Sequence, residues 1–127
     1  MTWLWRRAGN IMVAIGTVHT AVFLVEGRSD MAAMVRDGLV GSVFPDQAER
    51  RALWYGGVLL GACLVLLGVA VQSLVRQTGR PAPAGLGWGL AVVGTVGGLV
   101  APISGTWPVL VLGLLMVVSS RAVRAET

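Results

Sequence analysis

Residues 52–74 read ALWYGGVLLGACLVLLGVAVQSL, a run of 23 positions without a charged side chain. As a helix it would span about 34 Å at 1.5 Å per residue, enough to cross the roughly 30 Å of hydrocarbon in a bilayer. Three further apolar runs flank it, at about 8–26, 84–103 and 106–120, the last of them short. Lipid offers backbone groups no hydrogen bonds, so such runs are read as helices that satisfy their own N–H and C=O groups. The expected fold is an all-α membrane protein: a single four-transmembrane-helix bundle over residues 1–127, with a short amphipathic helix in the first, outer loop.

The composition agrees, with 55% hydrophobic and 13% charged residues in a 127-residue chain. All ten positive charges are arginine. They sit in ones and twos at the ends of the apolar runs, as topological anchors and contacts for membrane lipid, and this placement speaks against nucleic acid as a partner. Cys63 is the only cysteine, which excludes an intrachain disulfide; it reads as a small buried hydrophobe. Arg6 and Arg7 before an apolar run imitate a secretory signal, but no small-x-small cleavage pattern follows, so the segment reads as a retained anchor. The N-terminus, the 75–83 loop and the C-terminus hold six arginines, against four in the 27–51 loop. Both termini are therefore expected on the cytoplasmic side of a bacterial cytoplasmic membrane.

Five of the six acidic residues, Glu26, Asp30, Asp37, Asp46 and Glu49, lie in or beside the first loop. There Ser29 is expected to cap a helix beginning at Asp30, with Met31, Met34 and Val35 on one face and Gly38 ending it. The apolar character continues to Pro45, so the segment would lie in the interface or fold back over the bundle mouth. Glycine pairs Gly57/Gly61, Gly85/Gly89 and Gly94/Gly98 are expected at helix contacts, within the bundle or between copies of a homo-oligomer. Pro102 and Pro108 bracket a tight turn between the third and fourth spans. Trp3, Trp5 and Trp88 read as an interfacial belt, and Gln72 as a water-satisfied residue at a helix end.

The chain's one histidine, His19, falls inside the first apolar run. Ionisable groups in a spanning segment are costly and usually face the bundle interior. Met12, Gly16, His19, Phe23 and Glu26 are separated by steps of four, three, four and three, which places them on one stripe. His19 and Glu26 would stand about 10 Å apart along the axis, too far for a direct bond but able to flank one small substrate. Thr17 and Thr20 lie off the stripe and can bond back to their own helix. By the expected topology Trp54, Tyr55 and Trp107 converge near Glu26, where aromatic faces could enclose a lipophilic ligand. One histidine with scattered carboxylates makes no metal site, and no cofactor motif is present.

The order of elements resembles a family of small bacterial four-helix membrane proteins with no assigned function. Gly16-x-x-His19, Asp37-Gly38-Leu39, Trp54-Tyr55, Gly87-Trp88 and Pro102-x-Ser104-Gly105-x-Trp107 carry the resemblance, over nearly the whole chain. In size and helix count alone, the chain is also similar to small membrane-bound terpenoid cyclases and isomerases. That likeness implies an acid that starts cyclisation and aromatic walls that steady a cation.

The leading expectation is a membrane enzyme doing acid–base chemistry, of the cyclisation or isomerisation type, on a lipophilic small molecule between its helices. Glu26, His19 and Tyr55 are its candidate catalytic residues, and Trp54, Trp107, Phe23, Met12 and Ser104 its candidate substrate contacts. The alternatives are a proton-coupled transporter resembling the four-helix multidrug exporters, and a non-catalytic accessory subunit.

Overall fold

The computed structural model describes residues 2–38, 48–100 and 106–125. Among these every regular element is an α-helix: α1 Thr2–Glu26, α2 Arg28–Arg36, α3 Ala48–Thr78, α4 Ala84–Val100 and α5 Trp107–Ala125. The helices at 3–26 and 49–78 are long and apolar enough to cross a membrane, and α4 and α5 are shorter apolar helices. Both long helices overrun their apolar runs, because propagating a formed helix adds one backbone bond per residue and needs no apolar side chain. The extra turn of α1 carries Arg6 and Arg7, whose guanidinium carbons lie 5.4 Å and 5.2 Å from the Trp5 and Trp3 rings.

Two antiparallel hairpins build the molecule. In the first, α1 packs along α3, and the contact is a ladder of glycines seven residues apart on both helices. A β-carbon on Gly9 would meet the Gly68 carbonyl oxygen at 2.5 Å, and one on Gly16 the Gly61 oxygen at 2.7 Å. A seven-residue repeat holds one face of each helix toward its partner, and missing side chains let the backbones touch. Gln72 adds a polar clamp beside Gly68. Its amide nitrogen donates to the Arg6 carbonyl at 2.9 Å and its oxygen accepts from the Asn10 N–H at 3.2 Å. Gln72 is therefore an interhelical bond and not the water-satisfied residue expected from its position.

In the second hairpin α4 packs on α5, with Gly87 against Gly113, Gly94 against Leu110 and Gly98 under the Trp107 ring. The hairpins meet through α1 and α5, whereas among the described residues no α-carbon of α3 lies within 8 Å of one of α4. One continuous core joins them on the inner side, including Met12, Leu64, Val71, Leu90, Leu112 and Met116.

At the connection of the first hairpin, α2 turns back onto the start of α3 and buries Met34. Asp30 pairs with Arg50 at 2.9 Å, and Asp37 with the buried Arg51 at 2.8 Å. The expected Ser29 cap does not form, because α2 begins at Arg28 with Gly27 at its N-cap position. The Gly27 N–H bonds the Phe23 carbonyl and the Gly27 carbonyl accepts from Met31, both at 2.9 Å. The backbone ladder thus runs on through the junction, leaving Ser29 no end to cap. Gly38 closes the segment as expected, at a φ of +93° that favours glycine.

Three further expectations change. Gly57/Gly61 and Gly94/Gly98 are at contacts, but Gly85 and Gly89 face open space. Their face of α4 points away from α5, which uses Gly87 and Gly94 instead. Cys63 is exposed, on the side of α3 turned from α1. Trp5 is in the core at 8% exposure, while Trp3 and Trp88 stay outside. The 101–105 turn and the apolar 39–45 stretch lie outside the described residues.

Candidate functional site

The stripe on α1 leads from core to surface in the order of its residues. Met12 is buried at 1% exposure, Gly16 sits in the glycine ladder, and His19 and Phe23 are half-buried. Glu26, the last residue of α1, is exposed. Thr17 and Thr20 bond back to the Val13 and Gly16 carbonyls at 2.8 Å and 2.9 Å; Thr17 is exposed, whereas Thr20 lies against Gly61 of α3.

His19 stands on the wall of a cavity of about 40 Å³ where the two hairpins face each other. Ile15 and His19 of α1, Leu60 and Leu64 of α3, Leu90, Val93 and Gly94 of α4, and Thr106 and Val109 at the start of α5 line it. The lining is apolar apart from His19 and Thr106. One water needs roughly 10–15 Å³ measured this way, so the cavity has room for about three. A drug-sized ligand would need on the order of 300–1,000 Å³, hence some separation of the hairpins. They are least joined between α3 and α4, where the lining residues Leu60 and Val93 are 43% and 57% exposed.

His19 Nε2 is buried with no hydrogen-bond partner among the described residues. A buried polar nitrogen without a partner costs about 1–3 kcal/mol, and it can accept or donate according to the tautomer. Its ring lies 4.6 Å from Phe23, and Phe23 meets Trp54 edge-on at 5.7 Å, forming an aromatic line from the cavity toward the α2 end. Gly57 makes room for the Phe23 ring, and Gly27 for the Trp54 ring. Trp54 Nε1 is also buried without a hydrogen-bond partner among the described residues.

The remaining expected site residues do not gather at this cavity. Glu26 is exposed, and Tyr55 is 48% exposed on the outer side of α3. Trp107 packs over Gly98 and is 41% exposed. Met12 is fixed inside the core, and Ser104 lies outside the described residues. Of the stripe, His19 lines the cavity, whereas Glu26, on the last turn of α1, does not. The polar cavity residue that sequence reading missed is Thr106. Its position just before Trp107-Pro108, a helix-start pattern, was the available signal.

The arrangement can seat a small, mostly apolar group with one hydrogen-bonding atom. Among the described residues no three His, Cys, Asp or Glu side chains converge, so the wall offers one ring nitrogen and not a ligand set. Neither the curated proteins nor the solved structures contain a match to the chain. A family model does match, over residues 3–123. By that coverage the chain belongs to DUF6463, a family of unknown function.

Proposed function

We propose that the chain is an integral protein of a cytoplasmic membrane that binds a lipophilic small molecule in the cavity walled by His19. In this reading α1, α3, α4 and α5 cross the bilayer, α2 lies at the outer surface, and both termini are cytoplasmic. Outward-facing aliphatic residues on all four helices support the membrane placement, among them Leu66 and Leu99 at 70% exposure and Val18 at 64%. A water-soluble chain rarely leaves so much apolar surface uncovered. α1 and α3 measure about 37 Å and 46 Å at 1.5 Å per residue, so both exceed the hydrocarbon and place their arginine-bearing ends at the headgroups.

The observation that carries the ligand reading is the unpartnered, buried His19 Nε2 on an apolar wall beside the open α3–α4 side. A hydroxyl or carbonyl on an apolar body would satisfy that nitrogen and fill the cavity once the hairpins part. The body could come from the bilayer through the gap between Leu60 and Val93. Proton transfer at Nε2 is the acid–base chemistry open to such a site. The exposed positions of Glu26 and Tyr55 leave His19 to perform it alone, so the isomerase-type reading reduces to a single general acid or base.

A long-chain isoprenoid alcohol bearing a photoreactive diazirine tests this on the detergent-purified protein. Labelling should concentrate on Leu60, Leu64, Leu90 and Val93, and should fall at least several-fold in Val93→Trp, where an indole occupies the gap. Uniform labelling of the outer surface, indifferent to Val93→Trp, would sink the proposal.

A further inference from the structure

A second cavity lies at the opposite end of α1 from α2. Trp5 and Arg6 in the first turns of α1, with Gln72, Val75, Arg76 and Gly79 at the end of α3, enclose a groove of about 350 Å³. Its floor is fixed, because the Gln72 amide is bonded at both ends to the α1 backbone. Its walls carry two guanidinium groups on exposed residues, Arg6 and Arg76. The described carboxylates, Glu26, Asp30, Asp37 and Glu49, all belong to the opposite end. Trp5, one of the groove's walls, is 8% exposed, and the Arg6 guanidinium carbon lies 5.4 Å from its ring. Two guanidiniums with no described carboxylate at their end of the molecule are a recognition set for an oxyanion, and guanidinium forks match phosphate best. The groove is several times larger than one phosphate needs and opens where the apolar faces of α1 and α3 give way to arginines.

We infer that this groove binds the phosphate of an anionic phospholipid. The lipid as the source of that phosphate rests on the membrane placement proposed above. A headgroup that adds a cation of its own, as choline does, would meet two arginines with no carboxylate among the described residues at this end to receive it, so the site favours phosphatidylglycerol over phosphatidylcholine.

Thermal unfolding of the full chain in a nonionic detergent, titrated with phosphatidylglycerol, phosphatidylcholine or inorganic phosphate, reads the site directly. Phosphatidylglycerol should raise the Tm and phosphatidylcholine should raise it less. Arg6→Gln and Arg76→Gln should each shift the half-saturating phosphatidylglycerol concentration up about five-fold. Arg121→Gln, whose guanidinium lies 5.9 Å from Trp88 on α4, should leave it unchanged. Equal gains from both lipids, or an unchanged midpoint in Arg6→Gln and Arg76→Gln, would overturn the site. An equal gain from inorganic phosphate at the same concentration would overturn the lipid as its source. Failure of the membrane reading is visible separately, as a chain that stays monodisperse once detergent is removed.

Discussion

His19 separates a structural role from a functional one through the sign of a stability change. A histidine that glues two helices has a protein partner, and replacing it with leucine strands that partner at a cost of about 1–3 kcal/mol. Since His19 Nε2 has no such partner among the described residues, His19→Leu should leave the detergent-solubilised protein as stable as wild type or slightly more so. It should still lose the isoprenoid alcohol. A Tm lowered by several degrees would mean that the nitrogen holds the bundle together. Phe23 behaves oppositely, because its ring lies between His19 and Trp54 and fills the space above Gly57. Phe23→Ala should cost about 2 kcal/mol in chemical unfolding, less than the roughly 3–5 of a fully buried phenylalanine, since Phe23 is half-buried. That His19 faces between the helices was legible from its being an ionisable group in an apolar run. The exposure of Glu26 was not, because helical periodicity gives the face of a residue but not which neighbouring helix, if any, covers that face at its level.

The hairpins are held by backbone contact, so their glycines sort by neighbour and not by motif. Gly16 faces the Gly61 backbone, whereas Gly85 faces nothing within 4 Å. Gly16→Leu should therefore prevent recovery of folded protein or lower its Tm sharply, as overpacking against rigid backbone does. Gly85→Leu should change stability by less than about 0.5 kcal/mol. Equal effects at the two positions would contradict the packing described for α1 and α3. The four-residue pairs Gly57/Gly61 and Gly94/Gly98 could be read from sequence. The seven-residue pairs Gly9/Gly16 and Gly61/Gly68 became evident only when both helices were aligned antiparallel, because each pair by itself is ordinary spacing. The α2 contacts were hidden for a similar reason, since Asp30–Arg50 and Asp37–Arg51 join residues far apart in sequence. Asp37→Asn should loosen α2 from α3 at a cost of about 1–2 kcal/mol, between the values for exposed and buried ion pairs, because Asp37 is 38% exposed and Arg51 only 4%. Faster hydrogen exchange over 28–36, with α3 unchanged, is the expected signature.

Over the whole chain the charges divide by end. Six arginines and Glu126 fall at the terminal end, against four arginines and five carboxylates in and around the 27–51 loop, which gives +5 and −1 for the net +4. Reporter fusions at Gly79 and after Thr127 should accordingly score cytoplasmic and one at Ser42 external. The inverted pattern would place α2 and the Glu26 end inside and remove the orientation proposed here. Sequence and structure agree on the apolar helices because hydrophobic length and helix geometry are local properties. The absence of close backbone contact between α3 and α4 is not local, and the ligand reading depends on it. The most direct test bridges that gap. In a Cys63→Ser background, Leu60→Cys and Val93→Cys would be joined by a reducible bis-maleimide, and uptake of the photoreactive isoprenoid alcohol measured before and after reduction. The linked protein should lose labelling of Leu64 and Leu90 and regain it when the linker is cleaved. Undiminished labelling with the gap bridged would contradict a ligand site reached between α3 and α4.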